Sequence, residues 1–413
     1  MYSYRRPFRP QSSSRSGYGG RPSYGGGRRP SYGGGRGRFN AKTPDVHSYI
    51  RRATVKNAPT IAVEIKPSRS FEELNINDKL KKNIISHGYT KLTPIQEEGI
   101  QSILDGKDVI GIANTGTGKT AAFLIPLIEK VSQDRSYEAL IITPTRELAL
   151  QIRDEMRKFS NMIPVNSAFC IGQSSMRDQI HDLRRKPNIV IGTPGRLKDL
   201  IERRVLRLET FKMIVLDEVD QMLDMGFIND IRHIISFLPK VRQSLFFSAT
   251  VSPQINTLIQ SFVKNPITIS VKTQETLSDI RQEVVNVESG KSKAETLNTL
   301  LRKEELKKVL VFMKTKRGVE KLSYDLFLKG FKVASIHGNK PQFKRQQAIR
   351  MFKEDVVRIL VATDVAARGL DIANISHVIN YDAPATYEDY IHRIGRTGRA
   401  NKKGVALTFV EGR

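Results

Sequence analysis

The segment ANTGTGKT, residues 113–120, combines residue types that can hold a phosphate group. Gly116 and Gly118 allow a tight turn in which successive backbone N–H groups point at one place, next to the start of a helix. Lys119 could then reach the β- and γ-phosphates of a nucleotide, and the Thr120 hydroxyl could ligate Mg²⁺. The alternative is an ordinary glycine turn beside a solvated lysine.

The surroundings of this segment favour the phosphate site. Residues 108–112 form an apolar run that is typical of a buried strand, and residues 121–124 are helix-like. The match to the pattern GxxxxGK[ST] is incomplete, because Ala113 stands at the first glycine. We predict that the whole segment contacts the nucleotide: Ala113, Asn114, Thr115, Gly116, Thr117, Gly118, Lys119 and Thr120.

An acidic pair follows a later apolar run, where a nucleotide-hydrolysing site needs carboxylates. Asp217 can hold Mg²⁺, through water, beside Thr120. Glu218 can orient and deprotonate the water that attacks the γ-phosphate. Alone, the pair could be a solvated acidic turn. Together with the phosphate segment it predicts ATP hydrolysis, since both groups must meet around one metal ion.

A glutamine upstream of the phosphate segment could select the base. In GYTKLTPIQ, residues 88–96, the Gln96 amide can donate to and accept from one edge of adenine, which favours ATP over GTP. An aromatic ring such as that of Phe71 could stack on the same base. Without the other motifs, this stretch would be an ordinary loop that leads into a helix.

Strand-like apolar runs alternate with longer amphipathic stretches from about residue 71 onward. This alternation predicts parallel α/β sheets, in which ligands bind beyond the carboxyl ends of the strands. Polar residues that could do chemistry follow each of the first five runs. The predicted strands are residues 109–112, 139–142, 189–191, 213–216, 245–247, 309–312, 333–336, 359–362, 378–380 and 405–409.

A polar segment between the fifth and sixth runs divides the strands into two sets. We predict a tail and linker at residues 1–66, a first domain at 67–272, a short linker at 273–278 and a second domain at 279–413. The fold class is therefore α/β, with two tandem parallel-sheet domains.

Composition indicates a globular chain that binds a polyanion. Of the 413 residues, 39% are hydrophobic, and the net charge of +26 points to nucleic acid; a basic surface without a specific partner is the alternative. No apolar run approaches the length of a membrane span, and residues 1–10 lack the apolar stretch of a signal peptide. Cys170 is the only cysteine, so no disulfide within the chain is possible. We expect a cytoplasmic protein.

The first forty residues carry a concentrated positive charge. They contain nine arginines, ten glycines and five tyrosines, but no lysine and no acidic residue. The unit RPSYGGGR occurs at residues 21–28 and again at 29–36. Such a composition buries too little apolar surface to offset the entropy of ordering, so we predict a disordered tail. Arginine and tyrosine favour sequence-tolerant RNA binding, and a passive solubilising tail is the alternative.

Taken together, these motifs resemble those of the DEAD-box RNA helicases over about residues 70–410. The acidic motif is DEVD at residues 217–220, and the resembled family carries alanine at the position of Ala113. Further matches lie in both halves of the chain. They are PTRELA at 144–149, TPGR at 193–196, SAT at 248–250, HGN at 337–339 with Gln342 and Arg345, ATD at 362–364, RGLD at 368–371 and HRIGRTGR at 392–399.

The resemblance implies two RecA-like domains and a role for each matched residue. Arg396 and Arg399 would be arginine fingers that reach the γ-phosphate from across a cleft, and Gly369 and Asp371 would touch the ribose region of the nucleotide. The residues that would bind RNA are Arg146, Thr193, Gly195, Arg196, Thr315, Arg345 and Thr363. The residues that would couple hydrolysis to strand separation are Ser248, Thr250 and His392.

The resemblance also implies an RNA-stimulated ATPase that uses Mg²⁺ and locally separates RNA duplexes or remodels RNA–protein complexes. Lys119 and Arg396 lie far apart in the sequence, so only closure of the two domains can bring both to one phosphate. ATP and RNA should therefore tighten each other's binding. We expect a monomer. Two alternatives stay open: an ATP-gated RNA clamp without productive unwinding, and a DNA translocase of the same superfamily.

The chain departs from the family pattern at several positions. Val219 replaces an alanine, and Gln173 stands where a second glycine is usual. An inert linker is favoured for residues 41–66, although residues 48–53 could form a helical turn that docks a partner. The sequence ends at Arg413, soon after the last predicted strand, where the family usually continues into another helix.

Overall fold

The computed structural model describes residues 45–54, 69–114, 116–263, 265–271, 280–287, 290–367, 372, 374–398 and 403–410. The predicted basic tail and the predicted linker at 273–278 lie outside these residues. Four predicted site residues also lie outside them: Thr115, Gly369, Asp371 and Arg399.

The first lobe is built on a seven-stranded sheet whose paired strands are all parallel. Its strands are β1 (Val109–Ala113), β2 (Ala139–Ile142), β3 (Ser167–Cys170), β4 (Ile189–Gly192), β5 (Met213–Asp217), β6 (Gln243–Ser248) and β7 (Ile267–Val271). Their order across the sheet is β3-β4-β2-β5-β6-β1-β7. Strands β2, β4, β5 and β6 are buried along their whole length. Because both faces are covered, their sequences are near-continuous apolar runs.

The second lobe repeats this design with a six-stranded parallel sheet. Its strands are β8 (Ile280–Asn286), β9 (Val309–Met313), β10 (Val333–Ile336), β11 (Ile359–Thr363), β12 (His377–Asn380) and β13 (Gly404–Val410). Their order is β10-β11-β9-β12-β13-β8. Strands β9, β11 and β12 are buried on both faces, as are the inner strands of the first lobe.

Helices occupy the connections between the strands. Those that precede or belong to the first sheet are α1 (Val46–Thr54), α2 (Asp78–Ser86), α3 (Pro94–Leu104), α4 (Lys119–Gln133), α5 (Arg146–Phe159), α6 (Met176–Arg184), α7 (Pro194–Glu202), α8 (Val219–Asp224), α9 (Ile228–Ser236) and α10 (Pro253–Phe262), with a 3-10 helix at Phe71–Glu73. Those of the second lobe are α11 (Lys293–Leu301), α12 (Lys316–Leu328), α13 (Gln342–Lys353), α14 (Asp364–Ala367) and α15 (Tyr387–Ile394).

Alternate residues of the inner strands pack on opposite faces of each sheet. In β2, Ile141 belongs to one apolar cluster, whereas Leu140 and Ile142 belong to another. In β9, Val311 and Phe312 are divided in the same way. Each sheet is therefore the middle layer of its lobe, and the carboxyl ends of its parallel strands meet at one edge.

The predicted fold class is confirmed, and each predicted strand lies within an observed one. The sequence analysis missed β3, β7 and β8, which all lie at a sheet edge. Edge strands are partly exposed, so their sequences mix polar with apolar residues and lack the continuous run of an inner strand. The segment favoured as an inert linker contains the helix α1.

Within the described residues, the helices do not combine the length and the apolar character that a membrane span requires.

Candidate nucleotide and RNA site

The phosphate segment connects the end of β1 to the start of α4. Gly116 and Gly118 have φ angles of 88° and 93°, in the left-handed region that glycine adopts at little cost. A Cβ atom on Gly118 would also lie 2.3 Å from Nε2 of Gln96, so a larger residue would displace that side chain. The buried ammonium group of Lys119 donates to the carbonyl oxygen of Ala113 at 2.8 Å, which holds it against the end of β1.

Thr117 and Thr120 also have defined positions in this segment. The Thr117 hydroxyl donates to the carbonyl oxygen of Asn114 at 2.8 Å. Thr120 lies in the first turn of α4 and lines the same cleft as Asp217. The Thr120 hydroxyl and the Asp217 carboxylate, which are far apart in the sequence, therefore line the same cleft.

The two acidic side chains after β5 are removed from solvent: Asp217 is 2% exposed and Glu218 is 4% exposed. Burial raises the pKa of Asp217, although Lys119 acts in the opposite direction. Burial, followed by repulsion from Asp217, raises the pKa of Glu218 to about 7 against the opposing effects of Lys119 and Arg396. The Oε2 atom of Glu218 is buried without a hydrogen-bond partner. An unpartnered buried carboxylate oxygen is suited to a water or a ligand.

The backbone at Glu218 is strained. Its φ angle is 53°, in a region that residues other than glycine seldom adopt. Such strain concentrates at functional sites, where the surrounding structure maintains it.

A cleft of about 430 Å³ brings these groups together. Its volume lies within the range of small-ligand sites. Arg396, from the second lobe, lines this cleft together with Lys119, Asp217 and Glu218 from the first. The two lobes are therefore closed on one another in this structure, with the lysine and the arginine at a common space.

Gln96 joins the base-recognition segment to the phosphate loop. Its Oε1 atom accepts a hydrogen bond from the N–H of Thr93 at 2.9 Å, and its Nε2 atom donates to the carbonyl oxygen of Gly118 at 3.1 Å. The amide is therefore held at the wall of the cleft. The ring of Phe71 is fully buried and packs edge-on against Tyr89, with 5.9 Å between ring centroids, and its stacking on a base stays a prediction. Tyr89 lines the cleft instead, and stacking of Phe71 on a base would require this packing to change.

A hydrogen-bond network links the acidic motif to the SAT motif. Oδ2 of Asp220 accepts hydrogen bonds from the N–H groups of Ala249 and Thr250, each at 3.0 Å, and from the Thr250 hydroxyl at 3.2 Å. The Ser248 hydroxyl accepts from the N–H of Asp220 at 3.3 Å and donates to the carbonyl oxygen of Thr250 at 2.7 Å. Ser248 and Thr250 thus contact the acidic motif directly. Val219 is fully buried beside this network, so its extra bulk is accommodated.

Two arginines near the end of α15 have different surroundings. Arg393 forms two hydrogen bonds with the Asp364 carboxylate, at 2.5 and 2.8 Å, and a third with the carbonyl oxygen of Asp382 at 2.6 Å. It is therefore engaged inside the second lobe. Arg396 follows the helix and lines the cleft. His392 borders a small cavity together with both arginines.

The predicted RNA-binding residues of the first lobe lie at the starts of two helices. Arg146 begins α5, Thr193 precedes α7, and Gly195 and Arg196 lie in the first turn of α7. Burial lowers the pKa of Arg146, and the nearby positive charges of Arg345 and Arg196 add to this effect. Clustered arginines at helix N-termini favour an anion such as a backbone phosphate.

The backbone conformation of Gln173 is one that favours glycine. Its φ angle is 56°, which glycine would adopt without strain. Its amide oxygen accepts a hydrogen bond from Nη1 of Arg146 at 2.5 Å. The departure from the glycine pair therefore places an amide against the arginine that is predicted to bind phosphate.

Arg345, which is predicted to bind RNA, forms a buried ion pair between the lobes. Its guanidinium pairs with the Glu147 carboxylate at 2.7 Å, and the two side chains are only 7% and 3% exposed. Gln342 donates to the other oxygen of Glu147 at 3.0 Å. Glu147 belongs to the first lobe and its two partners to the second. This buried cluster therefore joins the lobes, and contact of Arg345 with RNA stays a prediction.

The two predicted RNA-binding threonines of the second lobe lie at strand ends. Thr315 follows β9 and caps α12, where its hydroxyl accepts a hydrogen bond from the N–H of Gly318 at 3.0 Å. Thr363 is the last residue of β11. Their positions match the expected edge of the sheet, and their contact with RNA stays a prediction.

Comparison with known proteins agrees with this geometry. The sequence matches the DEAD/DEAH box helicase family over residues 93–258 and the helicase conserved C-terminal domain over residues 292–401. It is 45% identical over 341 residues to the ATP-dependent RNA helicase CshA of Limosilactobacillus reuteri, a match that covers 82% of this chain and 69% of that protein. This chain belongs to the DEAD-box family of ATP-dependent RNA helicases.

Other proteins of known sequence or structure are similar to this chain over most of its length. Identity to the DEAD-box ATP-dependent RNA helicase CshA of Bacillus subtilis (strain 168) is 45% over 348 residues, covering 83% of this chain and 69% of that one. Among solved structures, S. cerevisiae Dbp5 bound to RNA and ADP BeF3 has a TM-score of 0.75 and 31% identity, with 84% of this chain and 90% of that chain covered. The two lobes are therefore RecA-like domains of the DEAD-box type.

Several contacts within the DEAD-box motifs were not foreseen from the sequence. They involve acidic residues whose partners are distant in the chain: Glu147, Asp220 and Asp364. In the sequence, each of these acids lies next to an apolar run that predicts a strand buried on both faces. A carboxylate that is buried there needs a cation or a set of N–H donors. The sequence shows that such a partner is required, but it does not show which residue supplies it.

Proposed function

We propose that this DEAD-box protein hydrolyses ATP to ADP and phosphate in an RNA-stimulated reaction, and thereby separates RNA duplexes locally or remodels RNA–protein complexes. The observation that carries the proposal is the position of Arg396, which lines one cleft with Lys119, Asp217 and Glu218 although it comes from the other lobe. Such a set of charges suits the transfer of a phosphoryl group, whose negative charge is spread over several oxygens.

Each of these side chains has a distinct task in the proposed reaction. Glu218 takes a proton from the attacking water, and its pKa of about 7 suits a base that works near neutral pH. Lys119 exchanges its bond to the carbonyl oxygen of Ala113 for phosphate oxygens. Arg396 stabilises the developing charge on the γ-phosphate from the opposite wall.

Mg²⁺ fits this site as a cofactor bound together with ATP. Thr120 and Asp217 line the cleft with oxygen atoms, which are the ligands that Mg²⁺ prefers. The described residues contain no group of three or more His, Cys, Asp or Glu side chains that could hold a metal ion. This agrees with an ion that takes one or two protein ligands and completes its shell with phosphates and water. When bound, the ion neutralises part of the phosphate charge.

RNA is the proposed partner at the arginine-lined edge of the first lobe. Arg146, Thr193 and Arg196 lie at helix N-termini, where backbone phosphates are favoured. Such contacts carry no base code, so the protein should accept many sequences. Contacts to 2′-hydroxyls would select RNA over DNA. Closure of the lobes on one bent strand would exclude its partner strand, which gives local rather than processive separation.

The test compares stimulation of ATP hydrolysis by RNA and by DNA of identical sequence and length. The expected result is strong stimulation by RNA and little by DNA. The Lys119→Ala variant should show no turnover with either nucleic acid, which controls for contaminating ATPases. Equal stimulation by DNA would instead support a translocase of the same superfamily.

An ATP-gated RNA clamp is a second candidate, and the buried cluster of Glu147, Gln342 and Arg345 favours it. The lobes cannot open without separating the buried charges of Glu147 and Arg345. This ion pair can therefore prolong the closed state. A clamp would hold single-stranded RNA for many times longer than one hydrolysis cycle and would release few duplexes. Measuring RNA dwell time and duplex release in one preparation separates the two functions.

Three further properties are proposals that rest on sequence. The arginine-rich residues 1–40 should add affinity for RNA, so their deletion should reduce the salt dependence of RNA binding. An unchanged salt slope would identify a passive tail. We also propose a monomer, which sedimentation of the full chain would test, and a cytoplasmic location.

A further inference from the structure

The helix α1 packs against the second lobe of the protein, although it precedes the first lobe in sequence. Tyr49, Ile50 and Ala53 of α1 pack on an apolar cluster that includes Ile280 and Tyr390. Val46, at the start of the helix, is only 4% exposed. The helix is therefore a docked element of the fold rather than a linker without contacts.

The contact has a specific geometry that centres on Tyr49. Its ring lies 6.0 Å from the ring of Tyr387 and 6.0 Å from that of Tyr390, measured between centroids. Its hydroxyl donates to the carbonyl oxygen of Ala385 at 3.2 Å. The guanidinium of Arg52 lies over the ring of Tyr387 at 4.1 Å. Aromatic pairs and a cation over a ring fix orientation as well as burying area.

The surface that α1 covers is formed by β8 and by α15, the helix that leads to the cleft arginine. Tyr387, Tyr390, Ile391 and Ile394 of α15 all belong to the cluster that α1 joins. Arg396 follows two residues after the end of that helix. Its position in the cleft therefore depends on how α15 is seated.

The inner side of α15 is fixed by a different contact. Arg393 is anchored to Asp364 within the second lobe, as described above. The helix is thus held between the Asp364 carboxylate on one side and α1 on the other. Removal of either support should leave α15 less precisely placed, and a small displacement of a catalytic group can reduce the rate greatly.

We propose that α1 positions Arg396 by seating α15, with Tyr49 as the central positioning residue. This inference rests on the proposed function, because it concerns the rate of the ATPase reaction. A helix that precedes the first lobe in sequence would thus help to position the cleft arginine of the second lobe. Tyr49 itself contacts neither the phosphate loop nor the acids, so it acts only through α15.

The test uses the full chain with Tyr49→Ala, the conservative Tyr49→Phe and the control His47→Ala. His47 lies on the same helix and is exposed, so its replacement keeps α1 docked. We expect Tyr49→Ala to lower kcat of the RNA-stimulated reaction by about 10- to 100-fold with little change in KM for ATP. Tyr49→Phe should retain most of the rate because it keeps the ring contacts, and His47→Ala should match the unmodified protein.

A double-variant comparison distinguishes positioning from general stabilisation. If Tyr49 acts through Arg396, then Tyr49→Ala should reduce kcat no further in a chain that already carries Arg396→Ala. Independent, multiplying losses would overturn the proposal. So would an unchanged kcat in Tyr49→Ala, or an equal loss in His47→Ala.

Thermal unfolding of each variant shows whether it is folded at the assay temperature. If Tyr49→Ala is unfolded there, the same measurements are made on the full chain with Arg52→Ala, which removes the cation over the ring of Tyr387 and keeps Tyr49. A lower kcat with an unchanged KM in folded Arg52→Ala supports the proposal, and an unchanged kcat overturns it. An unmodified chain without RNA-stimulated turnover would contradict the proposed function itself, which is a separate outcome.

Discussion

The two lobes share one fold, yet the acids at their strand ends are used in opposite ways. In the first lobe, Glu218 is buried with an oxygen that lacks a partner, and its pKa is raised to about 7. In the second lobe, Asp364 at the end of β11 is paired through two hydrogen bonds with Arg393. The first lobe leaves a carboxylate oxygen of Glu218 available for a ligand. The second lobe pairs the Asp364 carboxylate with Arg393, which holds α15 in place.

The arginines of the second lobe show the consequence of this difference. Arg393 donates to Asp364 and to the carbonyl oxygen of Asp382 within its own lobe, although it lies in the same motif as Arg396. Arg396 lies at the cleft and lowers the pKa of Glu218. In the proposed reaction, the first lobe supplies the base and the phosphate loop, and the second lobe supplies Arg396. Replacing residues on each side tests this division.

The largest effect is expected from Arg396→Ala. Loss of an arginine finger should reduce RNA-stimulated turnover by about 10³- to 10⁵-fold, because the charge that develops on the γ-phosphate loses a cation from the opposite wall of the cleft. ATP binding should persist, since the phosphate loop and Gln96 are unchanged. Steady-state ATPase rates and nucleotide binding by fluorescence measure the two effects. Arg396→Lys is the matched control, and full activity of Arg396→Ala would show that the second lobe supplies no catalytic charge.

Glu218→Gln should lower the rate by about 10²- to 10⁴-fold, because the amide cannot take the proton from water. The variant keeps the shape of the side chain, so ATP and RNA should both bind and the closed state should accumulate. Turnover and RNA dwell time check the two parts. If the rate falls by less than tenfold, the base of the reaction lies elsewhere.

Arg393→Ala should destabilise the second lobe by about 3–5 kcal/mol, because it leaves the Asp364 carboxylate without its partner. Denaturant unfolding, followed by a probe in that lobe, measures this change. The double variant Arg393→Met with Asp364→Leu should recover much of the stability, since no charge is then left unpaired. Loss of turnover without loss of stability would assign Arg393 to the cleft instead.

Arg345→Ala should weaken the coupling between ATP and RNA rather than the binding of either alone. The buried pair with Glu147 joins the lobes, so its loss should remove part of a coupling free energy that is typically about 1–3 kcal/mol. The measurement is RNA affinity with and without a non-hydrolysable ATP analogue. The double variant with Glu147→Ala should be no worse than either single variant. A uniform loss of RNA affinity, with coupling intact, would instead support the predicted contact between Arg345 and an RNA phosphate.

The smallest effect is a pH dependence that belongs to the first lobe. The pKa of Glu218 rises from its ordinary value of 4.5 to about 7, so its basic form appears only as pH passes through that value. The ratio kcat/KM for ATP should therefore rise between about pH 6 and pH 8, by less than tenfold per pH unit. A profile without this rise would show that another group limits the reaction.

The same shift predicts how stability changes with pH. An acid whose pKa is raised by folding contributes stability that is fully present below pH 4.5 and is lost as pH rises from there through about 7. Thermal melts of the nucleotide-free protein should show this loss, and Glu218→Gln should lack it. An identical pH profile in both proteins would contradict the raised pKa.

The inner strands and the phosphate loop were predictable because their signals are local. Strands such as β2 and β5 are buried on both faces and therefore consist of apolar runs. The edge strands β3, β7 and β8 lack this signal and were missed. For Phe71 and Arg345, the sequence did not show that each side chain is buried against a partner, because those partners belong to other segments of the chain.

The sequence alone determined the chemical groups of this protein and their order: a phosphate loop, two acids, a glutamine for the base and arginines near the end. It also determined the fold class, since strand and helix patterns depend on neighbours within a few residues. Only the tertiary structure decided that Arg396 and not Arg393 reaches the cleft, that Arg345 pairs with Glu147, and that α1 lies on the second lobe. These partners are hundreds of residues apart in some cases, and their pairing follows from close packing of whole surfaces, which no short stretch of sequence specifies.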